Sequence, residues 1–73
     1  MSTNYLIRIS GHLDREWVSW FPDFEFAYRP DGTTDLHGCV RDQPELHGIL
    51  NRINQLGLIL VKLERIEMEV VDE

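Results

Sequence analysis

Residues 41–58, RDQPELHGILNRINQLGL, constrain the fold more than any other part of the chain. Asp42 and Glu45 form a D-x-x-E capping box. Pro44 stands in the first turn, where its missing N–H leaves no helical hydrogen bond unmade. Leu46, Ile49, Leu50, Ile53 and Leu56 then recur at intervals of three and four, which is one apolar stripe on a helix. Gly57 is the residue type that tolerates the left-handed turn closing such a helix. The segments on either side of it alternate with a period of two, the pattern of strands.

In NYLIRISGHL, Tyr5, Ile7 and Ile9 share one face and Leu6, Arg8 and Ser10 the other, up to Gly11. LDREWVSWF predicts a short helix. Asp14 is its N-cap and Glu16 lies in the first turn, while Leu13, Trp17, Trp20 and Phe21 form one apolar face and Pro22 ends it. Phe24, Phe26 and Tyr28 then alternate with Glu25, Ala27 and Arg29. Pro30-Asp31-Gly32 is a turn, because Pro presets φ and Gly accepts positive φ. Thr34, Leu36, Gly38 and Val40 alternate with Asp35, His37, Cys39 and Arg41, completing a hairpin. In the last strand Val61 and Leu63 alternate with Lys62 and Glu64. Ile66, Met68 and Val70 then alternate with Glu67 and Glu69 in the opposite phase, which predicts a bulge near Glu64-Arg65.

The order β-α-β-β-α-β predicts an α+β, ferredoxin-like split β-α-β sandwich, with an antiparallel sheet in the order 4-1-3-2 and two helices on one face. Ile7, Ile9, Phe24, Phe26, Tyr28, Leu36 and Val40 are expected to point inward. Arg8, Ser10, Glu25, Arg29, Asp35, His37, Cys39 and Arg41 are expected on the open face. Residues 1–73 read as a single domain, with 65–73 a strand extension and acidic tail. A domain of this size buries only about 60% of its unfolded surface, so association is a natural source of further stability.

Tyr5 through Phe21 and Gly38 through Leu58 resemble a family of small, stand-alone, uncharacterised bacterial proteins. Its pattern runs roughly Y-x-I-R-I-x-G-H-L-D-x-x-W-x-x-W-F, then G-x-V-x-D-Q-x-x-L-H-G-x-L-x-R-I-x-x-L-G-L. The resemblance implies a bacterial, cytoplasmic protein. It brings no activity, cofactor or site residues with it.

Charge and composition exclude several functions. Thirteen acidic residues against seven basic give a net charge of −6, which repels nucleic acid and anionic membrane alike. The N-terminus lacks a basic region followed by an apolar run, and no stretch is long and apolar enough to span a bilayer. Cys39 is the single cysteine, so no internal disulfide forms and no paired-cysteine zinc pattern exists. His12, His37 and His47 fall on different parts of the expected fold. Only His37 and Cys39 are adjacent on one face, short of the four ligands of a structural zinc site. The capping carboxylates Asp14 and Asp42 lie at opposite ends of the sheet and make no acid–base dyad. The five glycines are scattered and form no phosphate-binding loop. An open sheet face gives a Cys39 thiol no oxyanion hole. RNA binders of this topology stack bases on open-face aromatics, whereas Phe24, Phe26 and Tyr28 belong to the inner face.

No enzyme, cofactor or metal is therefore expected. The sequence points to a non-enzymatic interaction module that self-associates, as a dimer or larger closed assembly, with an unidentified protein as another possible partner. The alternative is a small-molecule-sensing regulatory domain that binds its ligand at a subunit junction, an analogy at the level of fold only. The candidate interface comprises Trp20, His47, Gly48, Ile66, Met68 and Val70. A mid-helix glycine costs roughly 1 kcal/mol against Ala, so close packing is expected at Gly48. From Leu58 to Val71 no Gly or Pro interrupts the chain. Such a strand outruns its partner and leaves 65–71 to meet a neighbouring chain. Arg8, His37, Cys39 and Arg41 form the candidate polar cluster on the open face.

Overall fold

The described residues, 3–11, 13 and 15–66, of the computed structural model contain four strands, one 3-10 helix and one α-helix. Strands β1 (Thr3–Ser10), β2 (Phe24–Tyr28), β3 (Thr33–Val40) and β4 (Leu60–Ile66) lie in the order β2-β3-β1-β4, and every neighbouring pair is antiparallel. Helix α1 (Gln43–Gln55) joins β3 to β4. Its ends follow their residues closely. The Asp42 carboxylate accepts from the Glu45 N–H at 2.9 Å, and Glu45 Oε1 accepts from the Arg41 N–H at 2.6 Å. At the other end Gly57 adopts φ +76°. Its N–H donates to Asn54 O and that of Leu58 to Ile53 O, the two bonds of a Schellman closure.

The ferredoxin-like sandwich with two helices requires correction. A single α-helix lies against the sheet, and LDREWVSWF forms a 3-10 helix, Arg15–Trp20, in place of the expected first α-helix. Asp14, the expected cap, lies outside the described residues. Six residues are too few for an α-helix to hold by its own propensity, so packing decides the winding. A 3-10 helix rises about 2.0 Å per residue against 1.5 Å, so this segment spans about 12 Å rather than about 9 Å. The longer reach suits a short crossover between two strands of the same direction. Leu13 before it and Phe21 after it both sink into the core, at 5% and 3% exposure.

The inner face of the sheet follows the register. Ile7 stands opposite Leu36 and Ile9 opposite Thr34, while Gly38 lies between Tyr5 and Phe24. Ile7, Ile9, Leu36 and Val40 are buried together with Leu46 and Ile53 of α1. Thr34 is the buried polar member of this layer. Its hydroxyl donates to Gly11 O at 2.7 Å and accepts from the Leu13 N–H at 3.3 Å, pinning the start of the crossover. Tyr28, expected inside, is half exposed, with its hydroxyl donating to the Leu13 carbonyl.

The bulge also falls elsewhere than expected. Leu60 pairs with Ile9 and Lys62 with Arg8, so Val61 is the extra residue. From Lys62 to Ile66 the pairing with β1 is regular through Glu64-Arg65. Strand β4 matches β1 along its described length, and the expected overhang beyond Ile66 lies outside the described residues.

Candidate functional site

The open-face polar residues separate into distinct groups. Arg8 on β1 stands opposite Asp35 on β3 and binds its carboxylate with two donors, Nε at 2.7 Å and Nη2 at 3.3 Å. Arg29 approaches the same carboxylate at 3.6 Å. The Arg8 hydrogen bond holds the Asp35 carboxyl below its ordinary range against the opposing effect of burial, and the charges of Arg8 and Arg29 reinforce it. The Arg8 guanidinium is correspondingly raised. Asp31, in the hairpin turn, is lowered as well, chiefly by hydrogen bonds from the Thr33 hydroxyl and N–H. Arg8, Arg29, Asp31 and Asp35 thus form one ion-paired group at this end of the sheet.

His37 and Cys39 lie further along β3, away from Arg8. Both line a hollow of about 420 Å³ with Asn4, Asp23, Glu25, Gly38 and Ile66. The Cys39 thiol donates to Asn4 Oδ1 at 2.8 Å. Among the described residues no three His, Cys, Asp or Glu side chains are grouped to hold a metal ion. Arg41 does not join the open-face cluster. It lies beyond the end of β3, and its guanidinium pairs with Glu45 of the helix at 3.6 Å. The capping geometry that starts α1 draws it away.

Trp20 and Gly48 come together. They line a cleft of about 350 Å³ between the crossover and α1, with Phe24, Ile49 and Arg52 among the walls. Arg52 donates to the Trp20 carbonyl at 3.2 Å, and its guanidinium lies 5.6 Å from the centre of the indole. Trp17 packs against the core while Trp20 remains 46% exposed. Close packing at Gly48 is not found: among the described residues, its own turn of helix aside, a Cβ there would meet no atom within 4 Å. The glycine instead leaves the helix backbone bare to the cleft. His47 is exposed on α1 and does not line this cleft.

Among the described residues the largest display of apolar side chains is on β4 and the residue before it. Ile59, Leu60, Val61 and Leu63 are 66%, 43%, 53% and 39% exposed. Strand β4 ends the sheet order, so among the described residues no strand pairs with its outer side. Ile66 is half-buried at the far end of the strand, whereas Met68 and Val70 lie outside the described residues. The sequence expectation names 65–71, of which 67–71 lies outside the described residues, and does not name the exposed apolar residues at 59–63. The run Leu58-Ile59-Leu60-Val61 was the available signal, four apolar residues in a row at a strand entrance.

A family model described as a domain of unknown function, DUF8691, matches residues 4–64. The chain belongs to that family. The matched span begins within β1 and ends within β4, so it takes in the crossover, the hairpin, α1 and the exposed apolar residues of β4. No curated protein and no solved structure matches the chain. Among the described residues no helix is long and apolar enough to cross a membrane.

Proposed function

We propose that this DUF8691 protein is a non-enzymatic interaction module that self-associates through the rim formed by β4. One observation carries the reading: Leu60, Val61 and Leu63 are exposed on a strand at the sheet's edge. Edge strands combine unpaired backbone donors and acceptors with whatever side chains they display. Folded proteins usually guard them with charge, Pro or a covering element. Here the guard is thin, because the strand alternates single charges with apolar residues. A second chain added along the edge satisfies the backbone and shields the side chains together. Sedimentation velocity on the intact chain over a range of concentrations is expected to give a dimer. The Leu63→Asp variant is expected to be monomeric with an unchanged circular dichroism spectrum, since Leu63 is exposed in the single chain. A wild-type chain that stays monomeric at the highest concentration refutes the reading.

The second reading, a small-molecule-sensing domain, draws support from the cleft beside Trp20. Its volume of about 350 Å³ falls at the lower end of the range in which ligands are usually held, ~300–1,000 Å³. Its walls combine aromatic rings with Arg52 and the bare helix backbone at Gly48. A metabolite that raises the melting temperature of wild type but not of Trp20→Ala supports ligand sensing. A screen in which no compound does so removes it.

A further inference from the structure

We infer that two copies join β4 to β4 antiparallel, with the two-fold axis passing through Leu63. This rests on the self-association proposed above and names its geometry. Register against β1 assigns the faces of β4. Lys62 and Glu64 stand opposite Arg8 and Leu6 on the open face, and Leu63 stands opposite Ile7 on the helix face. Residues directly opposed in an antiparallel pair share a face, and a two-fold makes the contact self-complementary.

Neighbouring registers differ sharply in charge. An axis on Lys62 opposes the two lysines and places Leu60 against the partner's Glu64. An axis on Glu64 opposes the two glutamates. An axis between residues opposes Lys62 to the partner's Leu63, whose side chain points to the other face, and directly opposed residues of an antiparallel pair must share a face. The axis on Leu63 instead puts Lys62 opposite the partner's Glu64 and Glu64 opposite the partner's Lys62. Leu63 meets its own copy on the helix face. Lys62 and Glu64 already pair within one strand at 3.3 Å, so the dimer builds a square of alternating charges across the seam. Like charges opposed across strands are destabilising and opposite ones stabilising, which makes this register the favoured one. The result is one continuous eight-stranded sheet with both helices on the same face.

Two measurements test the geometry separately from association itself. In a Cys39→Ser background, Leu63→Cys is expected to form a disulfide-linked dimer on mild oxidation, because opposed residues lie within the reach of a disulfide. Val61→Cys is not expected to do so, since the two copies of Val61 lie about 13 Å apart along the seam. The charge variants Lys62→Glu and Glu64→Lys should each weaken the dimer about tenfold, and the double variant should recover wild-type affinity within about threefold. Lys62→Glu faces Arg8 of its own sheet, so it is expected to weaken the dimer without lowering the melting temperature of the monomer. A dimer that cross-links through Val61→Cys but not Leu63→Cys overturns the register and leaves self-association standing. So does a dimer whose charge reversals have no effect, or whose double variant stays weak. A wild-type monomer overturns both.

Discussion

Gly38→Ala is a one-carbon change with a large expected cost. A Cβ at residue 38 would stand 2.8 Å from the Asp23 carbonyl oxygen and 2.9 Å from both Cγ and Cδ2 of Phe24. Neither obstacle yields easily. The carbonyl belongs to the backbone entering β2, and Cγ is the root of the ring rather than its tip. Phe24 is itself buried and pairs directly with Gly38. Overpacking of this kind typically costs about 1–3 kcal/mol. Against it, alanine is favoured over glycine in a strand by roughly 0.5–1 kcal/mol, because less backbone freedom is lost on folding. With backbone as one of the obstacles, the upper part of the first range applies, and the net loss is about 2 kcal/mol. For a domain this small that corresponds to a fall in melting temperature of about 8–16 °C. Thermal unfolding followed by far-ultraviolet circular dichroism measures it. Adding Phe24→Leu should reduce the penalty of Gly38→Ala, since it removes the ring contact and leaves only the carbonyl, and residues in contact are non-additive. A Gly38→Ala protein that melts at or above the wild-type temperature refutes the close approach of β2 and β3.

Thr34→Val preserves shape and adds apolar surface, yet it is expected to destabilise the fold by about 1–3 kcal/mol in urea titration, because it strips a partner from both Gly11 O and the Leu13 N–H. An unchanged urea midpoint would mean that this hydroxyl does not anchor the crossover. Among the described residues, the Cβ of Gly48→Ala meets no atom outside its own turn of helix. It should therefore raise the melting temperature by the helix-propensity gain, about 4–8 °C for about 1 kcal/mol; no gain would show that something occupies the cleft above it. Acid should weaken the fold through Asp35, whose folded pKa is depressed chiefly by its hydrogen bond from Arg8. That contribution is complete above the ordinary carboxylate pKa of about 4 and is lost as pH falls through the lower folded value. Arg8→Gln should flatten this acid limb in denaturation measured from pH 6 to pH 2, and an identical limb would exclude the pair as its source.

Legibility tracked locality. Helix α1 was readable because its start, stripe and stop all lie within residues 42–57, and each signal involves residues four or fewer apart. The Pro30-Asp31-Gly32 turn was readable for the same reason, and Gly32 takes φ +90° there. The crossover was not. Leu13, Trp17, Trp20 and Phe21 have spacings that suit a period of 3.6 and nearly suit a period of 3.0, and six residues are too few to separate the two. Val61 could not be identified as the bulge, because its place depends on which residue of β1 stands opposite, a pairing across more than fifty residues of chain. Arg8 and Asp35 were both assigned to the open face by alternation, but their two-donor pairing required the register of β1 against β3. The bare backbone at Gly48 was equally invisible, since sequence records the absence of a side chain and not the absence of a neighbour.

The correction to the fold and the exposure of β4 are one physical consequence. Strands lie about 4.8 Å apart, so the outer axes of a four-stranded sheet are separated by roughly 14 Å. One α-helix with its side chains is about 10–12 Å wide and cannot roof that width. Among the described residues α1 lies nearest β3, an inner strand, and the crossover adds Leu13 and Phe21 to the core. Strand β4 is the edge left without an α-helix above it. Its sequence was nevertheless written for a half-covered strand, with Leu60 and Leu63 in register with the buried Ile9 and Ile7. A second α-helix of the kind first expected would have widened the layer and brought those leucines nearer to full burial. With a 3-10 turn in its place, apolar side chains remain at a rim that no strand among the described residues pairs with. Among the described residues no segment covers either, and an identical rim is the partner that the proposed dimer supplies.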